Sequence, residues 1–367
     1  MGGPLRIGVI GVGVISAQYF AAFPRLENIR VAAVADLDIA RAKAVGGEQG
    51  VPGMSVDELL AAEDVDAVLN LTIPAAHVEV GSRVLNAGKH LYAEKPLALS
   101  VPEGRPLLEL AEKVGLRVGS APDTVLGTGV QTARQLLDEG AIGEPVSAVA
   151  AWGSPGHERW HPAPAFYYQA GGGPLLDMGP YYLTALVTLL GPVERVTGVG
   201  RRSARVRTIA TGPNAGTEMP VNIDTTVSAI LEHADGAIST VMLSFDTWAT
   251  RAPVPLFELH GTAGTIAVPD PNRFEDPVNV FSAESAEWRT APPSGGYVEA
   301  ARGYGLADMA RAIETDRPHR ASGDLALHVL EIMDAVAASS EQRSSVALET
   351  TVPRPEAVPE GATPSSW

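Results

Sequence analysis

The sequence predicts an α/β protein in two parts: an N-terminal doubly wound parallel sheet of the Rossmann type, then a C-terminal α/β region with a large open, mostly antiparallel sheet. Three observations lead there. Over the first third of the chain short apolar runs alternate with longer helix-periodic stretches, a glycine-rich turn follows the first run, and beyond about residue 190 strand-like segments succeed one another with few helices between them. Continuous apolar strands separated by helical periodicity are the pattern of parallel strands buried on both faces.

In chain order, Leu5-Ile10, Val31-Ala35, Ala67-Leu71, His90-Ala93 and Leu116-Gly119 read as the parallel strands, with helices between them. A helix near Thr128-Glu139, stopped by Gly140 and followed by Gly143-Glu144-Pro145, opens the second region. A Pro/Gly/aromatic loop (Gly153-Gly173) and a helix near Pro180-Leu190 come next. Strand-rich segments follow around Val193-Thr208, Asn222-Glu232, Ala237-Ser244 and Leu256-Val268, then helices near Gly303-Thr315 and Gly323-Ser339. Val352-Trp367 has four prolines among polar residues and reads as a flexible tail. The expected domains are residues 1–124 and 125–350, with 351–367 as the tail.

A chain of 367 residues exceeds what one core usually supports. A net charge of -16 repels phosphate backbones and anionic lipid, so neither nucleic acid nor a membrane surface is an expected partner. The one basic run, Arg201-Arg202-Ser203-Ala204-Arg205-Val206-Arg207, reads as a solvated strand face. Without cysteine there is no disulfide, thiolate nucleophile or Cys-ligated metal. That suits a reducing cytoplasm, and no apolar run reaches the roughly 18 residues of a membrane span.

The stretch richest in chemistry is Gly11-Val12-Gly13-Val14-Ile15-Ser16, which leaves the first strand and opens a helix. Gly11 permits a tight turn, and Gly13 lets the backbone of Val14 and Ile15 approach a pyrophosphate at the helix N-terminus. Ser16 stands where a third glycine is usual. Asp36, ending the second strand, is placed to accept hydrogen bonds from adenosine ribose hydroxyls and would repel a 2′-phosphate, which favours NAD over NADP. Two other readings stay open: Asp36 as the cap of the next helix, and Arg41 reaching a phosphate from the following turn.

These residues resemble the Gfo/Idh/MocA oxidoreductases, the family of glucose-fructose oxidoreductase and inositol dehydrogenase, over roughly residues 5 to 350. The resemblance rests on the glycine turn with Asp36, on Asn70-Leu71-Thr72-Ile73-Pro74 with His77, and most specifically on Ala87-Gly88-Lys89-His90-Leu91-Tyr92-Ala93-Glu94-Lys95-Pro96. Glu139-Gly140-Ala141-Ile142-Gly143, Gly171-Gly172-Gly173 leading to Asp177-Met178-Gly179, and His260-Gly261-Thr262-Ala263-Gly264-Thr265 complete it. It implies a substrate cleft between the domains and a C-terminal sheet that packs on another subunit, in a homodimer or homotetramer. It also implies that Lys95 faces substrate beside the nicotinamide, with an often cis Lys95-Pro96 bond, and that Asn70, Thr72, Pro74, His77 and Glu94 help line the cofactor.

Family members commonly carry an Asp-x-x-x-His motif whose histidine takes the substrate's hydroxyl proton. Here it is Asp177-Met178-Gly179-Pro180-Tyr181, with a tyrosine in the histidine's place. A spacing of four puts Asp177 and Tyr181 on one helix face, with Pro180 tolerated in the first turn. A phenol ordinarily ionises only near about pH 10, and an ammonium such as Lys95 beside it would stabilise the phenolate. Either Tyr181 serves as base or His161 or His157, in the preceding loop, moves the proton.

That loop contains His157-Glu158-Arg159-Trp160-His161, a literal match to the zinc-protease signature. The chemistry needs a continuous helix, and Pro155, Gly156, Pro162 and Pro164 argue against one, so no metal is expected. Trp160, Tyr167 and Tyr168 are expected to stack on sugar faces and His157 or His161 to bond hydroxyls, unless the loop simply packs on its own domain. The sequence therefore predicts an NAD-linked dehydrogenase of a sugar, glycoside or polyol, with Lys95, Asp177 and Tyr181 or His161 as catalytic residues. The alternatives are a redox-neutral, NAD-dependent glycoside-cleaving enzyme and a non-catalytic NAD-responsive regulator.

Overall fold

The first apolar run forms β1 (Leu5–Ile10), which is followed by α1 (Ser16–Ala22), β2 (Ile29–Ala35), α2 (Ile39–Gln49), β3 (Gly53–Met54), α3 (Val56–Ala61) and β4 (Ala67–Asn70). α4 (His77–Asn86), β5 (His90–Ala93), α5 (Val101–Val114) and β6 (Val118–Ser120) complete the alternation. Among the described residues all six strands pair in parallel in the order β3-β2-β1-β4-β5-β6. This is the doubly wound order whose ligands lie beyond the C-terminal strand ends, where the order reverses at β1 and β4. β4 is buried throughout, as a strand covered on both faces must be. β3 escaped the sequence because two residues carry no period.

The computed structural model describes residues 3–251 and 254–363. They divide into two units: residues to Thr128 with Gly295–Leu330 and the chain from Pro355 onward, and Gly129–Ser294 with Glu331–Arg354. The expected span 125–350 is thus interrupted, since Gly295–Leu330 belongs to the first unit.

In the second unit, α6 (Thr128–Asp138) leads to β7 (Pro145–Gly153), α7 (Gly173–Leu190), β8 (Val193–Arg201) and the β9–β10 ribbon (Val206–Thr208, Glu218–Pro220). Then come β11 (Thr226–His233), β12 (Ile238–Ser244), β13 (Leu256–Gly261), β14 (Gly264–Ala267), β15 (Val278–Ser282) and β16 (Glu287–Ala291). After α8 (Tyr304–Thr315) and α9 (Gly323–Gln342), β17 (Val346–Ala347) joins the same sheet. Among the described residues its order is β16-β15-β14-β13-β7-β12-β11-β8-β17, with β7–β12 the one parallel pair. α7 and the end of α9 cover one face, where Gly198 lets β8 approach so closely that a Cβ would sit 2.8 Å from the Val336 carbonyl oxygen. The opposite face exposes Val199, Ile230 and Ile238 among polar residues. No helix among the described residues is long and apolar enough to cross a membrane.

Two readings change. α7 begins at Gly173, seven residues before the expected Pro180, so Pro180 lies inside the helix; Pro174 supplies the proline suited to a first turn. From Pro355 the segment expected to be a flexible tail is held within the first unit as far as it is described. Val358 is 1% exposed, and its carbonyl accepts from Gly296 N at 2.9 Å. The Arg320 guanidinium donates to the Glu356 and Ala357 carbonyls.

Arg320 is itself fixed by Asp308, a wholly buried carboxylate that also accepts from Arg317 at 2.8 Å and from the Tyr297 hydroxyl at 3.1 Å. Burial alone would raise the Asp308 carboxyl, but Arg320 and Arg317 outweigh it and hold it below the usual range. Breaking a buried pair strands its partner, so Asp308→Ala should cost about 3–5 kcal/mol in urea unfolding. The contribution is complete above about pH 4 and is lost as pH falls through the lower folded value. A change under about 1 kcal/mol would show that Arg320 finds other acceptors.

Candidate functional site

In the first unit the chain leaves β1 through Gly11, whose φ is 92° and where a Cβ would sit 2.8 Å from the Leu71 carbonyl group; no other residue fits. Gly13 faces open space, with nothing within 4 Å of an added Cβ, and Ile15 is half-buried. Ser16, in place of the third glycine, turns its hydroxyl onto the Gly13 carbonyl at 2.7 Å and closes the turn itself. Around the turn Val14, Leu37 and Ile73 are 97%, 96% and 70% exposed, an apolar rim at the C-terminal ends of β1, β2 and β4.

Asp36 does not cap α2; Asp38 does, accepting from the Ala40 and Arg41 amides. The buried Asp36 carboxylate instead accepts from Val12 N at 3.0 Å and Asp38 N at 2.9 Å, and pairs with the half-exposed Arg41 at 2.6 Å. Burial opposes its ionisation, yet Arg41 and the two amides hold the carboxyl below its usual range. Arg41 therefore lies on the group expected to read the ribose.

Asn70 ends β4, wholly buried. Its Oδ1 accepts from Thr72 N at 3.1 Å and from the Thr72 hydroxyl at 2.7 Å, while its Nδ2 donates to the His77 carbonyl at 3.2 Å. His77 is 1% exposed, with its ring nitrogens against the Pro96 and Thr72 carbonyls. Glu94 accepts from the Tyr19 hydroxyl at 2.8 Å and from Lys95 N at 3.0 Å. Lys95 is half-buried, and its bond to Pro96 is cis. Asn70, His77 and Glu94, expected as lining residues, are buried and bonded to the Thr72 turn, Pro96 and Lys95. The open space over Gly13, the apolar rim and the carboxylate at the end of β2 suit a dinucleotide's pyrophosphate, rings and ribose.

In the second unit the loop Gly153-Gly173 holds a 3-10 turn, His157–Arg159, rather than an α-helix across the two histidines. His157 is 5% exposed, and its Nε2 lies 2.8 Å from Asp177 Oδ2. Its Nδ1 accepts from Trp160 Nε1 at 3.2 Å. An indole nitrogen only donates, so the His157 proton is on Nε2 and is given to Asp177. His161 Nδ1 likewise accepts from Ala163 N at 3.1 Å, and burial lowers its affinity for a proton. Neither imidazole keeps a lone pair for a substrate hydroxyl. Asp177 and Tyr181 both lie on α7, with Tyr181 4% exposed.

Tyr168, expected to stack on substrate, is fully buried in a cluster with Phe245, Ile209, Met219 and Val221. Its hydroxyl accepts from His157 N at 3.0 Å and donates to Glu158, and burial with Glu158 holds the phenol well above its usual range. Arg207 bonds Glu158 at 2.9 Å, pairs with Asp246 and lies over the Tyr168 ring at 5.1 Å. The reading of Arg201–Arg207 as a solvated face therefore fails at Arg207, whose side chain is 10% exposed. Within a four-arginine run no sequence signal marks the one turned inward. Trp160 and Phe166 stay exposed, joined by Trp248 with Arg159 over its ring.

Comparison with known proteins agrees with this architecture. Residues 5–121 match the oxidoreductase family with an NAD-binding Rossmann fold, and residues 130–267 match the GFO/IDH/MocA C-terminal domain. A dTDP-3,4-didehydro-2,6-dideoxy-alpha-D-glucose 3-reductase of Actinomadura kijaniata is 32% identical, covering 76% of this chain and 87% of the relative. An inositol 2-dehydrogenase of Rhizobium meliloti is 26% identical over 94% of this chain and 99% of its own. The crystal structure of an NAD binding oxidoreductase from Klebsiella pneumoniae superposes with a TM-score of 0.82 at 23% identity, covering 95% and 100% of the two chains.

Proposed function

The chain belongs to the Gfo/Idh/MocA oxidoreductases, and from that premise we propose that it exchanges a hydride between a secondary alcohol of a sugar, glycoside or polyol and NAD. The observation that carries the reading is the hydrogen-bonded chain that runs from Thr72, packed against Gly11, through Asn70 and His77 to Pro96 beside Lys95. The substrate class follows relatives named as a sugar reductase and an inositol dehydrogenase.

Gly11, Gly13, Val14, Ile15 and Asp36 would hold the dinucleotide, with Thr72 and Pro74 beside it; when bound, it supplies the hydride acceptor or donor. The Lys95 ammonium holds and polarises the alcohol oxygen. Asp177, steadied by His157, orients the hydroxyl. Tyr181 takes the proton, since both loop imidazoles already accept from N–H donors. Trp160 offers an exposed ring face to the sugar.

We also assign self-association to the open sheet face with Val199, Ile230 and Ile238. Sedimentation should give a dimer or tetramer for the native chain and a smaller species for Ile230→Glu; an unchanged mass would reject this face.

Cofactor preference follows from Asp36. Its negative charge disfavours a 2′-phosphate, but the paired Arg41 offsets part of that charge. NAD should bind more tightly than NADP, and Arg41→Ala should widen the gap by about 3- to 10-fold, the worth of one half-exposed charged hydrogen bond. Calorimetry with both cofactors decides it, and a gap that narrows on mutation counts against this geometry.

The decisive experiment follows NADH formation over a panel of sugars, inositols and glycosides. Stoichiometric NADH is expected, whereas product without net NADH would indicate redox-neutral cleavage. Lys95→Ala should abolish turnover and leave NAD affinity nearly intact. Tyr181→Phe should lose at least about 10²-fold in kcat, and His161→Asn much less. The reverse order would place the proton carrier in the loop.

A further inference from the structure

His77 sits where a neutral imidazole cannot satisfy both of its neighbours. Nδ1 lies 2.7 Å from the Pro96 carbonyl oxygen and Nε2 lies 3.0 Å from that of Thr72. Both partners only accept, whereas a neutral ring has one N–H and one lone pair. One contact then sets lone pair against lone pair. The two carbonyls belong to the turn after β4 and to the residue following Lys95, the two segments that flank the proposed cofactor.

We propose that His77 is a positioning residue: it anchors the Lys95 segment through Nδ1–H at all working pH values and grips the Thr72 turn through Nε2–H only when doubly protonated. The inference rests on the reading of this cradle as a dinucleotide site. In the neutral ring the proton belongs on Nδ1, because the Pro96 contact is the shorter and the more buried of the two. The Thr72 contact is then unmade, and Asn70 still holds the Thr72 amide and hydroxyl.

Burial lowers the ring's affinity for a second proton below that of an ordinary histidine. The Pro96 and Thr72 carbonyls work in the opposite direction. The charged groups acting on the ring are Glu94, which favours the imidazolium, and Lys95, which opposes it. Near neutrality the ring is therefore neutral, and acidification closes the second contact. An unfolded histidine takes its proton first, so stability is complete above the ordinary histidine range and falls as the pH drops through the folded value. The grip on Thr72 is gained as fold stability declines.

Ring-nitrogen NMR of protein labelled with 15N-histidine reads the proton positions directly, with His77 assigned from its contacts to Pro96 and Thr72, so no variant is needed. The expected result at pH 8 is a protonated Nδ1 and a bare Nε2, with Nε2–H appearing below the ordinary histidine range. A neutral ring protonated on Nε2, or an imidazolium already at pH 8, would overturn the proposal.

Calorimetry with NADH should show affinity rising about 2- to 10-fold across that titration, the range of one hydrogen bond. In His77→Gln the rise should vanish. Because glutamine still offers a donor to Pro96, kcat should stay within about threefold in His77→Gln and fall about tenfold or more in His77→Ala, both at saturating cofactor. Equal kcat in the two variants would contradict the Lys95 anchor. Absence of NADH binding at every pH would reject the cofactor reading, while the ring titration would still decide where His77 carries its protons.

Discussion

The register between β4 and β5 is the constraint from which the first unit's chemistry follows. Asn70 pairs with Ala93, so both strands end at one level, and Glu94 N continues the ladder onto the Asn70 carbonyl at 2.9 Å. That alignment sets the turn after β4 beside the Glu94–Pro96 segment. A slip of one residue would turn every side chain of β5 to the opposite face. Asn70 converts the register into shape, spending both ends of its amide on the turn and on the start of α4.

Much of this was legible in the residues. The glycine turn is legible because its backbone conformation excludes side chains, as the 92° φ of Gly11 and its approach to Leu71 demonstrate. Asp36 is legible by position, but not by partner: that Arg41 lies on it depends on the phase of α2 against β2, which spacing does not encode. Nor does the sequence separate a residue that touches a ligand from one that holds its neighbour. Asn70, His77 and Glu94 each hold a neighbouring segment as well as being buried, which no sequence pattern conveys.

The second unit was harder to read because its loop is organised by contacts distant in sequence. The His157–His161 pattern satisfies a metal motif in letters only. The 3-10 turn sends one ring to Asp177 and gives the other a backbone donor two residues on. Tyr168 has the composition of a substrate residue and the surroundings of a core residue, a distinction made by Phe245, almost eighty positions later. Pro180 resembles a helix start in sequence, while Gly172 and Pro174 already provide the start of α7.

Arg207 joins the β9–β10 ribbon to this loop through Glu158 and to the end of β12 through Asp246, with Ala210 N donating to the Glu158 carbonyl. Loop and ribbon are therefore held together both by the Arg207 guanidinium and by backbone bonds such as Asn222 N onto the Tyr168 carbonyl. For protein engineering this divides the region in two. Trp160, Phe166 and Trp248 form an exposed outer surface that is open to variation by library design, whereas Glu158, Tyr168, Arg207 and Asp246 are the frame that any graft from another scaffold must carry with it.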